Sequence, residues 1–113
     1  MKNLLCFLIL LSFFSCDNKQ EKLTLEKGIS FELAKYRKQQ ISDVVYDVHF
    51  KIPKEKKAPI ASRLELNFTI NDLKNDVFLD FNEDASKIKS IKINGEISEI
   101  KHQKEHVIID KTK

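Results

Sequence analysis

The 113-residue chain has no tryptophan, one methionine, two glycines, two prolines and two cysteines. With only Gly28 and Gly95 to draw on, it has no glycine-rich loop to cradle a phosphate. Cys6 lies in an apolar leader that maturation would discard, which leaves Cys16 alone, and a mature chain with one thiol makes no intramolecular disulfide. Charge of one sign is lacking too. The 20 Lys+Arg and 17 Asp+Glu are interspersed, so no basic stripe points to nucleic acid. A long apolar run is also missing. Residues 4–14 are broken only by Ser12, and the stretch is roughly half of the ~20 apolar residues a membrane-crossing helix needs. A chain this short holds at most one domain, with little capacity to bury surface.

The N-terminus carries an export leader. Met1-Lys2-Asn3 is a short basic start, the apolar run has signal-peptide length, and Phe13-Phe14-Ser15-Cys16 gives way abruptly to Asp17-Asn18-Lys19. A small residue followed directly by cysteine resembles the lipobox of bacterial lipoproteins. Phe13 and Phe14 stand where that pattern usually has leucine and a small residue. The resemblance implies cleavage between Ser15 and Cys16, acylation of the Cys16 thiol, and an exported lipoprotein held to a membrane and facing the periplasm or cell surface. Residues 1–15 are then the signal peptide, residues 16–27 a charged tether too polar to pack, and residues 28–113 the folded part.

Gly28 ends the tether and Ser30 is a helix cap, so residues 31–40 are expected to be a short helix. Phe31, Ala34 and Leu33 would form its apolar side, with Lys35, Arg37 and Lys38 facing water near its C-terminal end. From Val44 the period changes to two. Val44, Tyr46, Val48, Phe50 and Ile52 share one strand face, with Asp47, His49 and Lys51 on the other. Pro53, Lys54 to Lys57 and Pro59 form a loop. Leu64, Leu66, Phe68 and Ile70 then alternate with Arg63, Glu65, Asn67 and Thr69, and Asn71-Asp72 starts a turn. Further strands are expected at residues 77–81, 90–94, 96–100 and 107–110, with Asn94-Gly95 as a tight hairpin turn. The expected fold class is mainly β: an antiparallel sheet or sandwich of about six short strands, preceded by a signal peptide and one short helix. One apolar face must lie on something else, so the domain reads as incomplete, with its partners beyond Lys113.

Candidate chemistry is sparse. His102-Gln103-Lys104-Glu105-His106 has the letters of an inverted zinc-protease motif, but that motif works on a helix, where residues four apart share a face. In an extended strand those residues are about 13 Å apart, so the segment is expected to be a solvated hairpin tip that binds no metal. His49 beside Asp47 is expected on the surface, and Asp80 as a carboxylate at a sheet edge. Ser42, Ser62 and Ser90 have no nucleophile-elbow context. The lysines of residues 54–57 keep a loop soluble. No residue set in this chain is assigned to catalysis or to a cofactor.

Tyr46-Asp47-Val48-His49-Phe50, Leu64-Glu65-Leu66-Asn67-Phe68, Val77-Phe78-Leu79-Asp80-Phe81 and Ile91-Lys92-Ile93-Asn94-Gly95 follow in an order that resembles the opening strands of the aminopeptidase N family of zinc metallopeptidases. Gly28-Ile29-Ser30 with Leu33-Ala34 and Arg37 is similar to the lead-in of its exported bacterial members, so the likeness spans residues 28–110. It implies the first part of a non-catalytic β-saddle domain that packs on a catalytic domain and helps wall a peptide cleft. The family's His-Glu-x-x-His and Gly-x-Met-Glu-Asn motifs do not occur in this sequence, so no catalytic or zinc-binding role carries over to any residue here. The zinc of such a parent would activate water for attack on the peptide. The competing expectations are a free-standing β-sandwich lipoprotein that binds protein or glycan, and a nonfunctional remnant. Labelling with radioactive palmitate checks the anchor. The wild-type chain should incorporate label and Cys16→Ser should not; equal labelling of the two removes the lipid from Cys16.

Overall fold

The structure, a computed structural model, describes residues 23–113. The expected signal peptide, its cleavage site at Ser15 and the lipidation site Cys16 lie outside the described residues. Helix α1 (Phe31–Gln40) is followed by β1 (Ile41–Lys51), β2 (Ala61–Ile70), β3 (Val77–Asp80), a 3-10 turn (Ala85–Lys87), β4 (Ile91–Ile93), β5 (Glu96–Ser98), β6 (His102–Gln103) and β7 (His106–Ile109). The chain is mainly β, and all its strand pairs are antiparallel, as the alternating pattern predicts. The strands are divided among three small sheets, β1-β2, β3-β7-β6 and β4-β5.

Helix α1 starts where Ser30 Oγ accepts the Leu33 N–H at 3.1 Å, satisfying a donor that has no partner within the helix. Glu32 in its first turn and Arg37 and Lys38 in its last complement the helix dipole. The expected apolar side is corrected. Phe31 is 77% exposed and Ala34 is exposed, while Leu33 is 2% exposed. The inward face is Leu33, Arg37 and Gln40, spaced four and three apart. Two of these three are polar, so the hydrophobic pattern conceals the face that packs. Gln40 is fully buried and holds segment 71–76 in place. Its side-chain N–H groups donate to the Asn75 carbonyl at 2.9 Å and the Asp76 carbonyl at 3.1 Å, and its own backbone carbonyl accepts from Asn71 at 2.7 Å.

The helix passes directly into β1, whose first residue, Ile41, is already extended. β1 pairs with β2 from Ile41↔Ile70 to Lys51↔Ala61. Between Ser42↔Thr69 and Val45↔Asn67, β1 spends one residue more than β2, which makes a bulge, and Asp43 there has φ +53°. The extra residue changes the parity of the strand. Ile41 therefore joins Tyr46, Val48 and Phe50 on the apolar side instead of turning to the polar one.

The body is formed by α1 and the β3-β7-β6 sheet. Leu33, Val77 and Val107 are the buried apolar side chains among the described residues. Two tight hairpins shape the later strands. Asn94-Gly95 turns between β4 and β5 with φ +51° and +86°, as its sequence predicts. Lys104-Glu105 does the same between β6 and β7 with φ +49° and +68°, in residues that rarely adopt this conformation. Nothing lies within 4 Å of a Cβ added at Gly95, so Gly95→Ala meets no clash and its cost is purely that of the left-handed backbone. The variant should lose about 1 kcal/mol, lowering the thermal midpoint by roughly 4–8 °C. An unchanged calorimetric midpoint would refute the tight-turn geometry.

Candidate functional site

Two features stand out, a charged junction in the body and the surface of the β1–β2 ribbon. The junction begins with Asp80 at the end of β3, directly opposite His106 of β7. Arg37 reaches it from α1. Nη1 donates to Asp80 Oδ2 at 2.8 Å and Nη2 to Oδ1 at 2.7 Å, a two-pronged charge-assisted contact. The Asp80 carboxyl is held below its ordinary value of 3.8, first by the hydrogen bonds from Arg37, then by the charges of Arg37 and His106. Arg37, expected to face water, has a side chain only 19% exposed.

His106 is fully buried, which corrects the expectation of a solvated tip for this residue. Its Nδ1 donates to the Lys104 carbonyl at 2.6 Å, its Nε2 lies 3.2 Å from Asp80 Oδ1, and its ring meets Phe78 edge-on. The antiparallel register turns His106 toward Asp80, and Arg37 closes over them. The turn itself, Lys104-Glu105, is at the tip as expected. It is braced by Lys104 Nζ donating to the Leu25 carbonyl at 2.7 Å and by Glu105 Oε2 accepting the Gly28 N–H at 3.1 Å. The imidazole is buried and committed to a backbone carbonyl, and the two-pronged Arg37–Asp80 contact beside it is a structural clasp between α1 and the sheet.

His102 is engaged elsewhere. Its Nε2 donates to the Phe81 carbonyl at 2.8 Å, and its ring packs edge-on against Phe81. The two histidines and the glutamate of the zinc-protease letters are thus held by three separate backbone partners. Among the described residues no three His, Cys, Asp or Glu side chains gather in a way that could hold a metal. His49 is exposed and faces Arg63 across the ribbon. Ser42 Oγ donates to Asp43 Oδ2 at 3.0 Å, while Ser62 and Ser90 are exposed.

The ribbon has two unlike faces. Tyr46↔Leu66 and Val48↔Leu64 pair on the apolar one, with Phe50 and Phe68 continuing it toward either end. Tyr46, Val48, Phe50 and Leu64 are all exposed. On the other face Asp47 stands opposite Glu65, and His49 opposite Arg63. Directly opposed like charges weaken a ribbon, so its polar side adds little to holding the strands together. An uncovered apolar strip of this length is the kind of surface that marks an interaction site.

No helix among the described residues is long and apolar enough to cross a membrane. Comparison with known proteins finds no matching family model, no matching curated protein and no matching solved structure.

Sequence reasoning missed the junction because Arg37 and Asp80 are 43 residues apart and neither has a local signature. The clasp has a pH signature. A carboxyl whose folded value is depressed contributes stability that is fully present above 3.8 and is lost as pH falls through the folded value. Asp80→Asn should therefore melt below wild type at neutral pH by roughly 4–8 °C, corresponding to about 1 kcal/mol for a partly exposed charged pair. The gap should close in strong acid, where the wild-type carboxyl is also neutral. A gap that stays constant from neutral pH to strong acid would show that the ionised carboxylate is not what binds α1 to the sheet.

Proposed function

We propose that this chain is the opening, non-catalytic part of an exported zinc aminopeptidase, carried on a lipid at Cys16, and that its β strands brace a catalytic domain that removes residues from the amino end of peptides. The observation that carries the reading is the uncovered apolar face of the ribbon. Tyr46, Val48, Phe50 and Leu64 lie side by side with nothing over them among the described residues. An antiparallel sheet leaves a polar face in water but lays its apolar face on another layer, and a lone two-stranded hairpin is marginal in water without such a layer. A catalytic domain of the same polypeptide supplies that layer in the proposed parent. The order of the strand sequences, from Tyr46-Asp47 through Asn94-Gly95, supports the same reading. In this proposal the described residues contribute shape and support, and the water-activating zinc belongs to the catalytic domain.

The test is biochemical. Antibody against residues 28–113 is used to purify the native protein from membranes, which is then assayed on aminoacyl arylamides. The expected result is release of the arylamine, abolished by 1,10-phenanthroline and restored by added zinc. A purified species no larger than the chain itself that leaves the arylamide intact would overturn the proposal.

A further inference from the structure

The far end of the ribbon combines charge and apolar surface in a way the apolar face does not. Loop 52–60 closes on the Lys51↔Ala61 pair. The chain's two prolines, Pro53 and Pro59, stand near its two ends, where their fixed φ stiffens the loop. Across the turn the Ala58 N–H donates to the Glu55 carbonyl at 3.1 Å. Lys54, Lys56 and Lys57 are exposed, and from His49 to Arg63 five Lys and Arg side chains face a single acid, Glu55. On the two arms of the loop Ile52 is 77% exposed and Ile60 59%, with Phe50 at 61% just behind. At about 3.3 Å per residue, the eleven residues of β1 hold this tip roughly 35 Å from the helix.

We infer that this tip binds the surface of an anionic lipid bilayer. The ammonium groups of Lys54, Lys56 and Lys57 meet lipid phosphates, while Ile52 and Ile60 enter the boundary between headgroups and acyl chains. Ile52 and Ile60 stand bare beside those lysines, so the loop offers apolar surface as well as charge. Clustered lysines are attracted to an anionic leaflet, and apolar side chains beside them supply the buried area that holds a segment in the interface. Phosphate groups of nucleic acid would satisfy the lysines but leave both isoleucines in water, and Phe50 is the one aromatic residue near the tip for a base to stack on. The inference rests on tip residues alone and is independent of lipid on Cys16 and of the peptidase reading.

The absence of tryptophan makes the test direct, because Ile52→Trp places a single indole in the full chain. The protein is mixed with phosphatidylcholine vesicles with or without phosphatidylglycerol, some of them carrying brominated acyl chains. The indole emission should shift to the blue and be quenched in the anionic vesicles, with apparent partitioning about tenfold stronger than into phosphatidylcholine alone. High salt, which screens the attraction, should reverse the quench without any change to the lysines. In the variant that also carries Lys54→Glu, Lys56→Glu and Lys57→Glu the quench should be lost. Leu73→Trp, at an exposed position beyond the opposite end of β2, should stay unquenched in the same vesicles. Equal quenching at positions 52 and 73, no preference for phosphatidylglycerol, or a quench that survives salt and the lysine replacements would each overturn the inference.

Discussion

One carboxylate, that of Asp80, joins three separate pieces of chain. It ends β3, faces His106 of β7 and receives both terminal nitrogens of Arg37 from α1. Its importance follows from how little else is buried, since Leu33, Val77 and Val107 are the buried apolar side chains among the described residues. At about 25 cal/mol per Å² of apolar surface removed from water, three aliphatic side chains are a thin core for a folded domain. The helix is therefore seated as much by polar geometry as by burial. Leu33 supplies the apolar contact, Arg37 the charged one, and Gln40 the two bonds that hold the Asn75 and Asp76 carbonyls.

The direction of the ribbon follows from that seating. No loop separates α1 from β1, so whatever fixes Gln40 also fixes where β1 leaves the body. The bulge at Asp43 then adjusts parity, and the result is one continuous apolar side from Ile41 and Ile70 outward to Phe50. On the opposite side Asp47 faces Glu65 and His49 faces Arg63, pairings that give the isolated ribbon little. Backbone bonds and apolar cross-strand pairs are left to hold it together, and those pairs are half in water.

The parts of this structure that were legible in the sequence are those whose signals are local. Ser30 marked the start of α1, and the alternation of residues 44–52 and 63–70 marked β1 and β2, because one side of a ribbon repeats every second residue. Asn94-Gly95 marked its turn because both residues tolerate positive φ. The illegible parts depend on distant partners. Nothing in Lys104-Glu105 suggests a left-handed turn, since the bonds that brace it come from Leu25 and Gly28, more than seventy residues away. β6 is only two residues long, too short to display a period. His106 is buried beside Asp80, which lies 26 residues earlier in the chain, and the inward side of α1 is concealed by its own polarity. The division into three sheets was equally hidden, because periodicity tells which way side chains point and not which strand lies alongside.

The ribbon presents two surfaces with different requirements, and they point to different partners. Its apolar side is nearly free of charge, and in the proposed parent a packed protein layer is its complement. The tip is the reverse. Its lysines crowd a short loop between Ile52 and Ile60, and a closely packed protein layer would have to strip water from each ammonium group, which is costly unless every one is paired. A bilayer interface keeps those groups hydrated among phosphates while accepting the isoleucines. The two proposals are compatible in space, because strands of eleven and ten residues leave room for a packed layer along their length with the tip free beyond it.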